Sequence, residues 1–132
     1  MIEQTGEPDG TGLEYVYVGT ATLLLAHQID SAYWHEWDLF RIPGGIQFFV
    51  LLNVPLVLAF LYGLTQVIRA PRVGARFGAA LGVVGVAAFV LHIWLIWRGH
   101  PEFRTPTSIA VLAGAFVLAL ELARRSVRIL RG

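Results

Sequence analysis

Residues 77–97 read FGAALGVVGVAAFVLHIWLIW. Twenty-one residues pass with one ionisable group, His92, and no acid or base. A helix needs about 20 mostly apolar residues to cross the hydrocarbon of a bilayer, and this stretch meets that need alone. Gly78, Gly82 and Gly85 fall on one stripe of such a helix, with His92 continuing it seven residues later. In lipid, stripes of small residues let helix backbones approach closely.

Working outward, three more stretches have the same character: about 13–40, 46–68 and 107–123. Pro43-Gly44-Gly45, the segment 69–76 with Pro71 and Gly74, and the segment 98–106 with Gly99, Pro101 and Pro106 separate them. Proline lacks an N–H and glycine accepts left-handed angles, so both end helices. Thr107 is placed to cap the last helix. Connections this short force neighbouring helices to run antiparallel, and open sheet edges are excluded from hydrocarbon. The expected fold is all-α: one domain, residues 1–132, forming an antiparallel four-helix transmembrane bundle. It has a polar N-terminal tail at 1–12 and a basic helical end at 124–132. The tail is acidic and lacks the basic start and apolar core of a secretory signal.

Composition agrees. The chain of 132 residues is 56% hydrophobic and 14% charged, too apolar for the small interior of a soluble protein of this length. It has no cysteine, which excludes disulfides and thiolate chemistry. Every basic residue is Arg, so lysine Schiff-base chemistry is excluded as well. Arg69, Arg72, Arg76, Arg124, Arg125, Arg128 and Arg131 share one side of the expected bundle, against Arg41, Arg98 and Arg104 on the other. The positive-inside bias places both termini in the cytoplasm. Arg124, Arg125, Arg128 and Arg131 form an interfacial anchor suited to anionic headgroups, and Glu121 is spaced to pair with Arg124 or Arg125. Arg residues split between two membrane faces give no nucleic-acid surface. Phosphate-loop, dinucleotide-fingerprint, nucleophile-elbow and zincin motifs are missing.

Chemistry gathers in AHQIDSAYWHEWDLF, residues 26–40. On a continuous helix His27, Ser31, Trp34 and Asp38 lie within about 40° of one line, and Asp30 stands about 60° to its side. Glu36 points almost the opposite way, toward water or headgroups. Ionisable groups inside a span face the bundle or a cavity. Trp34, Trp37, Trp94 and Trp97 mark the outer aromatic belt. His27 lies about 15 Å below Trp37, His92 about 9 Å below Arg98, and Asn53 about 10 Å below Ile46. Three helices thus bring His27, His92 and Asn53 to the same outer half, beneath His100 and Glu102. Pro55 is expected to kink the second helix beside Asn53.

The expected pocket is His27, Asp30, Asn53 and His92, flanked by Trp34 and Asp38. Imidazole with carboxylate suits a transition metal, with His27, Asp30 and His92 as ligands. Two histidines on antiparallel helices also suit bis-His haem b. An Asp beside a His in a dry setting suits a proton-coupled transporter or channel protomer. A hydrogen-bonded cluster that only fixes helix register is the fourth reading. Four short helices enclose little space, so a homo-oligomer or a larger membrane complex is the expected partner besides the lipid bilayer.

The block HQIDSAYWHEWDLFRIPGGIQFFVLLNVPL, residues 27–56, resembles a family of small four-helix bacterial integral membrane proteins. His27, Asp30, Tyr33, Trp34, Glu36, Trp37 and Pro43-Gly44-Gly45 carry the resemblance. It implies a helical protein of the bacterial inner membrane and transfers no catalytic role; the polar pocket itself points to a small membrane binding or accessory protein.

Overall fold

Apolar runs of helical length become helices. The computed structural model describes residues 12–132 and places five: α1 (Leu13–Tyr33), α2 (Glu36–Leu39), α3 (Gly45–Arg69), α4 (Pro71–Trp97) and α5 (Pro106–Arg131). Among the described residues there is no strand. The N-terminal tail lies outside the described residues, save Gly12. Helices α3, α4 and α5 are each long and apolar enough to cross a membrane. That composition is the mark of an integral membrane protein.

The helix limits differ from expectation at three places, each for a local reason. The first expected span stops at Tyr33, because His35 takes left-handed angles (φ 52°) and the four-residue α2 starts in a new direction. The third starts at Pro71, whose missing N–H costs nothing in a first turn. Ala70, extended before that proline (φ −142°, ψ 86°), is the whole link between α3 and α4. The fourth is capped by Thr105, not Thr107: the Thr105 hydroxyl accepts the Ser108 N–H at 3.1 Å, and the helix runs through the basic end to Arg131 as expected. Helix α3 continues through Pro55 from Gly45 to Arg69.

Helix α4 packs on α5 and α3, and α1 packs on α5 and α3. Helix α1 also reaches α4 across the interior, whereas α3 and α5 do not meet among the described residues. The glycine stripe makes the α4–α5 contact. A Cβ on Gly82 would stand 2.8 Å from the Ala119 carbonyl oxygen and 2.9 Å from the Ala123 Cβ. Gly78 faces Ser126 and Gly85 faces Ala119 in the same way. Leu13, Tyr17, Leu24, Phe60, Val67, Leu81, Ala115 and Leu122 fill the core. The Tyr17 hydroxyl is buried there and donates to the Phe60 carbonyl at 2.9 Å, tying α1 to α3. Glu121 binds Arg124 with two hydrogen bonds (2.7 and 2.6 Å) and Arg125 with one (2.6 Å), as the spacing requires. Arg124, Arg128 and Arg131 are exposed and Arg125 is half-buried.

A candidate metal centre of two imidazoles and a carboxylate

One face of α1, the stripe Tyr17, Thr20, Leu24, His27 and Ser31, is turned inward and buried. One face of α4 carries the glycines and His92 to the same depth. His27 and His92 are 2% and 1% exposed. Their rings meet edge to face, with centroids 4.4 Å apart and planes at 89°.

The hydrogen bonds of His92 fix its chemistry. Its Nδ1 lies 2.7 Å from the Ala88 carbonyl oxygen, and a carbonyl only accepts, so Nδ1 carries the proton. In the neutral ring Nε2 is then a bare lone pair. That atom is buried and makes no hydrogen bond among the described residues. His27 resembles it: Nε2 lies 3.4 Å from the Ser31 hydroxyl, and Nδ1 is buried with no hydrogen bond.

Glu36 completes the group. Its Oε1 stands 3.4 Å from His92 Nε2, with the carboxylate only 13% exposed. That distance is at the long end of the range for a hydrogen bond. Burial pushes the Glu36 carboxyl up. The nearness of the His92, Ser31 and His27 side chains pulls further the other way and holds it below the ordinary carboxylate range. One ligand atom from each of His27, Glu36 and His92 lies within 4.8 Å of the other two.

This corrects the sequence reading. The carboxylate beside the imidazoles is Glu36, expected to point away, and not Asp30. A continuous helix places Glu36 about 180° from His27. The left-handed turn at His35 reverses it inward. Asp30 is half-buried; its Oδ2 makes no hydrogen bond among the described residues, and neither does Trp34 Nε1. Asn53 is elsewhere: its side chain donates to the Phe49 carbonyl at 2.9 Å and lines a groove between α1 and α3. Asp38 is exposed beside His35 at 3.8 Å. The haem expectation does not fit either. Rings in edge contact at 4.4 Å leave no gap for a macrocycle between two axial ligands.

Phe103 is the residue that sequence reasoning missed. It sits in the α4–α5 connection, fully buried, with left-handed angles (φ 67°). Its ring lies 4.5 Å from that of His92 and 5.9 Å from that of His27, closing the centre from above. Arg104 pins the connection by donating to the Ile96 carbonyl at 2.9 Å. Such angles are costly for an aromatic residue and persist only where the surrounding structure holds them.

The family model that matches the chain covers residues 13–128 and describes a family of unknown function, DUF6713. The chain belongs to that family. No curated protein and no solved structure matches it.

Proposed function

From membership in a family of unknown function, we propose that this protein is a four-span membrane protein that binds a transition-metal ion through His27, Glu36 and His92. The four long helices form an antiparallel bundle in a bacterial inner membrane, with both termini in the cytoplasm. Three apolar spans support the membrane setting. Helix α1 then supplies the fourth crossing, and seven of the ten arginines fall on the terminal side.

The observation that carries the metal reading is the state of the two histidines. Buried polar atoms are nearly always hydrogen-bonded, yet His27 Nδ1 and His92 Nε2 are buried without such a bond among the described residues. His92 donates its other nitrogen's proton to a backbone carbonyl, which is how metal-ligating histidines are oriented. Two imidazoles and one carboxylate suit zinc or ferrous iron and leave coordination positions open. Bonds of about 2.0–2.2 Å need the three side chains to close by roughly an ångström. The test is zinc titration of detergent-purified, chelator-stripped protein. One zinc per chain is expected, lost in His92→Ala and in Glu36→Gln, and retained in Asp30→Asn. Absence of stoichiometric zinc in the parent protein rejects the reading.

The 3.4 Å approach of Glu36 to His92 favours one second reading, a proton held between imidazole and carboxylate for relay. Proton uptake that depends on Glu36 in protein that takes up no zinc selects that reading.

A further inference from the structure

Glu36 faces two ways. On one side it approaches His92. On the other it lines a cavity of about 330 Å³ with Gln28, Trp37 and Asn53. That cavity shares Gln28, Phe49 and Asn53 with a second, of about 710 Å³, that runs between α1 and α3 along Ile29, Val50, Val54 and Leu58. Ile29, Val50, Val54 and Leu58 are exposed on the outside of the protein, so in a bilayer the groove opens sideways to lipid.

We propose that this α1–α3 groove binds a single-chain amphiphile from the membrane. Its hydrocarbon tail lies along Val54, Leu58 and Leu61, and its hydrogen-bond-donating head sits against Asn53 and Glu36. The polarity of the walls defines the ligand. The polar groups Gln28, Asn53 and Glu36 line the smaller cavity beside α2, and the larger groove beyond Asn53 is apolar. The groups at that end accept protons: the Asn53 Oδ1 is buried with no hydrogen bond among the described residues, and the Glu36 carboxylate lines the adjoining smaller cavity. A head that donates, such as a primary ammonium or a hydroxyl, answers both. A volume of about 710 Å³ falls in the range of small-molecule sites. An apolar helix face of a second copy would leave the buried Asn53 Oδ1 without a donor, so an amphiphile with a donating head is the better fit. The groove shares Glu36 with the candidate metal centre, so its test is run without metal.

The experiment uses a spin-labelled long-chain primary amine and its trimethylammonium counterpart, which has no N–H. Each is added to the full chain in detergent with chelator present, and the immobilised fraction is read by electron paramagnetic resonance. The amine is expected to show a saturable immobilised component. Asn53→Leu is expected to weaken it about tenfold, the loss of one hydrogen bond. Val54→Trp, which fills the groove from its lipid side, is expected to abolish it while leaving the thermal transition in place. Equal immobilisation of both probes overturns the donor head. Undiminished binding in Val54→Trp overturns the groove, as does a detergent-stable dimer that Val54→Trp dissociates.

Discussion

Replacing His27 by leucine separates a centre kept for binding from a cluster kept for stability. The native ring is 2% exposed. Its Nδ1 makes no hydrogen bond among the described residues, and its Nε2 has one long contact, 3.4 Å to Ser31. A buried nitrogen without a partner costs about 1–3 kcal/mol. The Ser31 contact returns at most about 1 kcal/mol, and leucine of similar size adds apolar burial. The balance favours leucine by about 1–2 kcal/mol in metal-free protein. Thermal unfolding in detergent with chelator present reads this as a rise of a few degrees, while zinc uptake is lost. If the imidazole instead held the helices in register, the variant unfolds earlier by 1 kcal/mol or more (about the contribution of one buried hydrogen bond), and the reasoning is refuted.

Three further outcomes follow from the packing. Gly82→Ala drives a methyl to 2.8 Å from the Ala119 carbonyl and 2.9 Å from the Ala123 Cβ. It is expected to destabilise by about 1–2 kcal/mol, overpacking outweighing the gain in helix propensity. Gly114→Ala meets only the mobile end of Leu23 and is expected to be neutral or better, so equal melting of the two variants speaks against the close α4–α5 contact. Glu36 is held below its ordinary range in the fold. Its contribution is thus present above the unfolded-state value and lost as pH falls through the lower folded one. The stability gap between native protein and Glu36→Gln is accordingly expected to be widest near neutrality and to close in acid; a gap that widens in acid contradicts the sign. Phe103→Ala removes a fully buried ring from above the imidazoles. It is expected to cost about 3–5 kcal/mol and to speed zinc loading in stopped-flow measurements; unchanged loading means Phe103 does not cover the route.

The apolar runs and their punctuation made the helices legible, since length and hydropathy fix a span before any packing is known. The glycine stripe and His92 were legible too, because 3.6-residue periodicity put them on one face and that face is buried. The pairing of His27 with His92 followed from depth counting on two helices. What failed was direction. Glu36 was misplaced because helical geometry was carried through Trp34 and His35, where neither glycine nor proline announces a break. Histidine is among the few side chains enriched in left-handed angles, and that was the only local signal. Asp30 was assigned by its angle on a continuous helix and Asn53 by depth, and neither decides which neighbour a helix face meets. Asn53 faces the α1–α3 groove. Phe103 was invisible because its burial depends on the path of a connection, which no periodicity encodes.

X-ray absorption at the zinc edge of the loaded protein tests the central claim most directly. A first shell of two imidazole nitrogens and one carboxylate oxygen, filled to four by a light atom, is expected in the native protein, and no bound zinc in His27→Leu. A zinc shell without imidazole, or one identical in His27→Leu, contradicts it.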